Sequence, residues 1–320
     1  MRTCCLIATM LGLLAPAGAY AQQGYPTRPI RLIVPFPAGG QTDIMARTLS
    51  HRLGEAFKET VVVDNRPGGG GTIGPESAVK ANPDGYTLIM VSASYSTNAA
   101  LYKLPYDPVN DVTPISLIGE TGFVVTVQLS SPVKSTKELI AYAKAHPGQL
   151  NYASGGTGSS THFATELFNQ MAGVSTTHVP YKGTGQGLTD LLAGNIQLVF
   201  AGFNQMLPHI KANRVRGLSV TTARRASALP DLPTVADTVA GYEAVQWFAV
   251  WGPKGLPRSL VTRWNGELNR ALQLPDVKER MAADGVEPVG GSPERFREAL
   301  IRDVAKWKKV VSTAGIKVGS

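Results

Sequence analysis

Two stretches of the chain place glycines and hydroxyl residues where a strand would run into a helix. The first is Val34-Pro35-Phe36-Pro37-Ala38-Gly39-Gly40-Gln41-Thr42-Asp43; the second is Asn151-Tyr152-Ala153-Ser154-Gly155-Gly156-Thr157-Gly158-Ser159-Ser160-Thr161-His162. The first N–H groups of a helix lack a partner inside it, and missing β-carbons let a ligand come close, so such a turn can cradle an anion. The same residues also suit an ordinary helix start, because Thr42, Asp43, Ser159 and Ser160 are all good caps. Two copies more than one hundred residues apart fit better with two lobes gripping one ligand. Asp43 would repel an anion, so its expected role is to cap its own helix from outside the pocket.

Magnitudes decide what such a site relies on. The charge effect of a helix terminus contributes about 0.3–2 kcal/mol, whereas a micromolar complex needs about 8. Four or five hydrogen bonds to a carboxylate, at roughly 1.5–3 kcal/mol each, reach that figure before ordering is subtracted. Directed N–H and O–H donors must therefore carry the affinity.

Other chemistry is poorly supported. Gly69-Gly70-Gly71-Thr72-Ile73-Gly74 satisfies G-x-G-x-x-G, but residues 64–67 separate it from its strand and Pro75 follows it. No Gly-Lys-Ser/Thr loop and no G-x-S-x-G elbow occurs. The five histidines show no metal spacing. His162, beside the second turn, could donate to a ligand or pack against the strand ends. No metal and no cofactor is expected.

The elements that must position the two turns read as alternating apolar strands and amphipathic helices, the pattern of helix-flanked, mainly parallel sheets. Strands are expected at 30–36, 61–64, 87–91, 123–128, 151–154, 196–201 and 217–221. In a helix at 42–57, Met45, Leu49, Leu53 and Phe57 recur every fourth residue, and a helix at 161–171 buries Phe163, Leu167, Phe168 and Met171. Three further helices, at 258–272, 276–283 and 293–314, close the chain. About 300 mature residues exceed one core, so two domains are expected: residues 22–121 plus 249–320, and residues 122–248.

Residues 1–21 read as a secretory signal: a basic start at Arg2, an apolar stretch, and Ala19-Tyr20-Ala21 as the cleavage pattern. Export with cleavage after Ala21 places the mature protein in the periplasm. Both cysteines, Cys4 and Cys5, fall in that signal, so the mature chain has no disulfide, thiolate nucleophile or cysteine-held metal. A net charge of +8, or +7 without Arg2, is thinly spread and forms no nucleic-acid surface.

Several segments together resemble the substrate-binding proteins of tripartite tricarboxylate transporters, the TctC or Bug receptor family. They are residues 35–43; Asp64-Asn65-Arg66-Pro67 with the glycines at 68–71 and Ile73-Gly74; Pro83-Asp84-Gly85-Tyr86-Thr87-Leu88; Asn98; residues 151–154 with their glycine turn and His162; Val179-Pro180-Tyr181-Lys182-Gly183; Leu232-Pro233-Thr234-Val235-Ala236; and Trp247-Phe248 to Pro253. The resemblance implies an α/β, two-lobed type II periplasmic-binding (Venus flytrap) fold, each lobe a sheet flanked by helices. It implies a small organic acid between the lobes, one carboxylate being held by donors of both turns, often through ordered waters. It nominates Phe36, Ala38, Gly39 and Thr42 on the first lobe and Ser154, Thr157, Gly158 and Ser159 on the second. Asn98, His162, Tyr181 and Phe203 are the pocket-wall candidates it adds. The partners it implies are the membrane components of a tripartite transporter, with the receptor a monomer. Gln41 and residues 95–97 fall where relatives vary, so the identity of the acid does not transfer.

Two other readings compete. A receptor of this fold could serve an ATP-driven importer or a sensor kinase, and an exported hydrolase could use Ser154 or Ser159. The absent nucleophile elbow speaks against the hydrolase, and the expectation is a receptor that is not an enzyme.

Overall fold

The protein is described here by a computed structural model covering residues 24–181 and 183–316; the expected signal peptide and Lys182 lie outside the described residues. The first part of the chain runs β1 (Ile30–Val34), α1 (Gln41–Phe57), β2 (Val61–Asn65), α2 (Ile73–Val79), β3 (Thr87–Ser92), α3 (Ser94–Leu101) and β4 (Val112–Gln128). The second continues through α4 (Thr136–Ala145), β5 (Asn151–Ser154), α5 (Ser160–Ala172), β6 (Thr177–Pro180), α6 (Thr184–Ala193), β7 (Leu198–Gly202), α7 (Phe203–Lys211) and β8 (Val215–Val220). The chain then returns through β9 (Val245–Pro253), α8 (Arg258–Ala271), α9 (Pro275–Ala283), β10 (Glu287–Pro288) and α10 (Pro293–Ala314). Among the described residues no helix is long and apolar enough to cross a membrane.

One strand organises both lobes. The first eleven residues of β4 run antiparallel to β9, ending at the pair Gly122–Val245. From Phe123 onward β4 pairs with β7, and from Val124 with β8. The first-lobe sheet therefore reads β2-β1-β3-β9-β4 and the second β6-β5-β7-β4-β8. Each lobe has the same plan, in which its first strand lies between its second and third and an antiparallel strand precedes its last. In that plan β1 and β5 are equivalent, so the turns that follow them are equivalent too.

Burial explains the elements. In α1 the residues Met45, Leu49, Leu53 and Phe57 face β1 and β3 and belong to one buried cluster with Trp264 and Leu268 of α8. Truncating one such side chain to alanine costs about 2–5 kcal/mol. The second lobe builds its core from Phe163, Phe168, Phe200 and Tyr242. The α10 helix belongs to both lobes: Phe296, Leu300 and Val304 pack in a first-lobe cluster, whereas Trp307 and Val310 pack in the second-lobe core.

Two expected elements differ in extent. The strand expected at 123–128 is the second half of the longer β4, and that expected at 30–36 stops at Val34, where Pro35 and Pro37 remove ladder donors. The α3 helix was not expected, because its buried residues Tyr95, Ser96, Thr97 and Asn98 are consecutive, mostly polar and carry no apolar period.

Candidate ligand-binding cleft

The two equivalent turns share a backbone device. Gly39 and Gly158 both have φ of +81°, a left-handed conformation that L side chains adopt at a penalty. In each turn the glycine N–H donates to the side chain four residues on. Gly39 donates to Asp43 Oδ2 at 2.8 Å, and Gly158 donates to His162 Nδ1 at 3.0 Å. Both N–H groups thus serve to shape the turn, and a ligand must find its donors elsewhere.

Asp43 is buried and gathers three donors. Besides Gly39, Arg47 Nε reaches Oδ2 at 2.9 Å and Asn65 Nδ2 reaches Oδ1 at 2.9 Å. Burial alone would raise its pKa, but the hydrogen bonds from Arg47, Gly39 and Asn65 outweigh it and hold the carboxyl below its ordinary range. Asn65 Nδ2 also donates to the Phe36 carbonyl at 3.0 Å, so Asn65 at the end of β2 clamps the whole first turn.

Behind the second turn the corresponding brace is a stack of rings. His162 lies 3.9 Å from His178 with planes 8° apart, and Tyr152 lies beside both, 5.0 Å from His178 and 6.3 Å from His162. Burial, followed by the neighbouring His178, pushes the His162 pKa down to about 4, and burial lowers that of His178. At neutral pH both rings are uncharged. Because His162 Nδ1 accepts from Gly158, its proton sits on Nε2.

Free donors remain at the first turn of each helix. Gly40, the N-cap of α1, has extended backbone and no side chain to cap the N–H groups that follow. Ser159 caps α5 by accepting from the His162 N–H at 3.3 Å. The two helix starts face one another across a cleft of about 610 Å³ lined by Phe36, Gln41 and Thr42 from one lobe and Thr157, Gly158 and Ser159 from the other. A neighbouring chamber of about 530 Å³ includes Thr184, Asn204 and Gln205 and shares Gln41, Ser159, Ser160 and Gln246 with the first. Among the described residues neither lining contains Lys, Arg, His, Asp or Glu.

Of the twelve residues nominated from sequence, Phe36, Thr42, Asn98, Thr157, Gly158 and Ser159 line the main cleft. Asn98 also donates to the Gly70 carbonyl at 2.9 Å and so ties α3 to the loop at 68–71, which forms another wall. The other six lie outside both linings. Ala38 and Gly39 sit exposed at the tip of the first turn. Ser154 is fully buried, with its Oγ 2.6 Å from His178 Nε2. His162 is the brace just described. Tyr181 directs its hydroxyl to Asp190 Oδ2 at 2.5 Å. Phe203 is buried at the junction of the lobes, its ring 2.8 Å from where a β-carbon on Gly122 would lie.

Sequence reasoning missed Tyr102, Ser160 and Gln246 as cleft residues. Gln246 Nε2 donates to Gln41 Oε1 at 3.2 Å, and Ser160 Oγ donates to Gln246 Oε1 at 3.2 Å. This chain joins α1, β9 and α5 across the cleft. Its members are 205 and 86 residues apart, so no local spacing could reveal it.

A family model described as tripartite tricarboxylate transporter family receptor, TctC, matches residues 45–316. Protein BugT of Bordetella pertussis is 36% identical over 313 residues, covering 96% of this chain and 94% of its own. The solved structure of R. palustris Rpa4515 with adipate superposes with a TM-score of 0.78 at 39% identity, covering 92% of this chain and 99% of that one. MatC from Rhodopseudomonas palustris with bound malate gives 0.74 at 28% identity, covering 90% and 100%. A family match over most of the residues, full-length relatives and a shared two-lobed architecture lead to one assignment: the chain belongs to the TctC/Bug family of periplasmic solute-binding receptors, which are not enzymes.

Proposed function

We propose that this receptor closes its two lobes on the carboxylate of a small organic acid and passes the acid to the membrane components of a tripartite tricarboxylate transporter. The observation that carries this reading is the facing pair of helix starts, one per lobe, across a cleft whose described lining residues include no Lys, Arg, His, Asp or Glu. The carboxylate is held by Thr42 Oγ1 and the uncapped N–H groups of α1 on one side, and by Thr157, Ser159 and the α5 start on the other. Phe36, Asn98 and Gly158 shape the wall around it. Adipate and malate in the two related structures are acids of this kind.

The lobes of this reading are residues 22–121 plus 249–320, and residues 122–248; the change of strand partner at Gly122 and Phe123 supports the first boundary, while α10, counted with the first lobe, packs Trp307 and Val310 into the second-lobe core. The mature protein starts after Ala21, resides in the periplasm and acts as a monomer. A hydrolase finds less support: the serine nearest a base is Ser154, and it is fully buried and lines neither chamber. Native mass spectrometry of receptor purified without refolding tests the proposal. One retained organic acid per chain is expected; a neutral solute in its place would overturn it.

A further inference from the structure

Gln246 stands at the crossing between the lobes. On β9 it pairs with Thr121, one rung before the pair Gly122–Val245 that ends the first-lobe ladder with β4. From Phe123 onward that strand serves the second lobe. The Gln246 backbone is therefore close to the pivot of a rigid-body closure, while the starts of α1 and α5 are carried one by each lobe.

From that place its side chain reaches both lobes. Nε2 donates to Gln41 Oε1 in the first turn of α1, and Oε1 accepts from Ser160 Oγ at the start of α5, each at 3.2 Å. Gln41 Nε2 donates in turn to the Asp284 carbonyl at 3.2 Å, in the loop before β10, and β10 is paired with β4 at Glu120 and Gly119. One group fixes the direction of the whole chain. A backbone carbonyl only accepts, so the Gln41 amide must turn its nitrogen to Asp284 and its oxygen to Gln246; Gln246 must then turn its own oxygen to Ser160, whose hydroxyl donates. Every link joins two protein atoms, and none of them is charged. By contrast Ser92, Ser94 and Asn98, which also line the chamber, bond within the first lobe. A side chain of fixed length cannot hold both helix starts once they move apart.

We infer that Gln246 is a positioning residue: through Gln41 and Ser160 it sets the spacing at which the two helix starts face each other, a clasp that favours the closed arrangement independently of the acid. The inference rests on the closing receptor proposed above and adds what holds that closure besides the ligand. A clasp of this kind preorganises the cleft, so part of the ordering that binding requires is met beforehand.

Small-angle scattering tests this on receptor freed of retained acid by unfolding and refolding, with native mass spectrometry confirming that none remains. Gln246→Ala removes both links. At the usual net worth of neutral hydrogen bonds the closed-to-open ratio should fall about tenfold, the equivalent of about 1.4 kcal/mol, and the radius of gyration should exceed that of the parent. Gln41→Ala and Ser160→Ala should each enlarge the radius in the same direction. The double variant Gln41→Ala/Ser160→Ala should enlarge it no further than Gln246→Ala does, because a chain severed once no longer joins the lobes. Melts of the acid-free variants should stay close to the parent, which separates the clasp from a general loss of fold; where one variant melts low, the others carry the comparison. Radii equal to the parent's in the variants that fold, or increases that add up in the double variant, overturn the inference. No acid takes part in these measurements, so either result leaves the carboxylate reading standing, whereas a neutral solute retained by the native receptor would sink that reading and leave the clasp untouched.

Discussion

Gly39 and Gly158 share one backbone conformation but differ in surroundings, and a pair of alanine variants separates the two effects. At φ +81° an L side chain incurs about 1–2 kcal/mol of strain, and this applies to both positions. A β-carbon on Gly39 meets nothing within 4 Å, so Gly39→Ala should register that strain in stability and little else. A β-carbon on Gly158 would lie 2.7 Å from Leu101 Cδ1, which belongs to α3 of the opposite lobe. Overpacking costs at most about 1–3 kcal/mol, less where the end of the half-buried Leu101 side chain turns aside, and it acts across the two lobes. With about 1.4 kcal/mol per factor of ten, Gly158→Ala should bind its acid more weakly than Gly39→Ala does, by up to about a hundredfold. Adding Leu101→Ala should restore most of the difference. The assay is calorimetry on the four variants beside thermal melts without ligand, read as a double-mutant cycle. Equal binding losses at the two glycines, with no rescue by Leu101→Ala, would refute the contact between lobes as the cause.

Two further outcomes follow from the braces and the shared helix. Neutral His162, its pKa held at about 4 by burial and His178, takes up no proton between pH 6.5 and 4, whereas the unfolded chain does. The His162 contribution to stability should therefore be flat above pH 6.5 and fall below it, by up to roughly 3 kcal/mol, with the lowered pKa of His178 adding a loss of the same sign. Asp43, held low, contributes its loss only as pH drops below the ordinary aspartate range. His162→Gln should flatten the fall between pH 6.5 and 4 in denaturant titrations; an unaltered slope would contradict the assignment. Trp307 is buried edge-on to Phe163 at 5.2 Å, and Trp307→Ala should destabilise by about 3–5 kcal/mol. Because α10 packs on both lobes, calorimetric scans of Trp307→Ala and Phe296→Ala should each show one lowered transition, and two separated transitions in either would contradict a shared helix.

Much of this site was legible because its local chemistry is strict. Pro35 and Pro37 end a strand, Gly39 and Gly158 permit positive φ, and Thr42 and Ser159 start helices, so both turns could be located from residue type alone. The stripe Met45-Leu49-Leu53-Phe57 likewise betrayed α1. What stayed hidden depends on distance in sequence. Nothing local to His162 indicates that its ring stacks on His178 and accepts from Gly158, although its place four residues after the glycine repeats the offset of Asp43 from Gly39. The apolar positions of α10 form one continuous stripe, and only the tertiary structure assigns Phe296 to one lobe and Trp307 to the other. Gln246 reads as an ordinary polar residue before Trp247 until β9 brings it between α1 and α5.

The central claim is that one carboxylate is held from both lobes at once. The measurement that bears on it most directly is calorimetric titration of an acid retained by the native receptor into Thr42→Ala and Ser159→Ala. Each removes one hydroxyl, from opposite lobes, and leaves the Gly39–Asp43 and Gly158–His162 hydrogen bonds in place; Ser159→Ala also removes the cap that accepts from the His162 N–H, so ligand-free melts of both variants are read beside the titration. Loss of one hydrogen bond to a charged group corresponds to about 1.5–3 kcal/mol, so both variants should bind roughly ten- to a hundredfold more weakly. Full affinity in one variant, with loss confined to the other, would place the acid on a single lobe and contradict the two-sided grip.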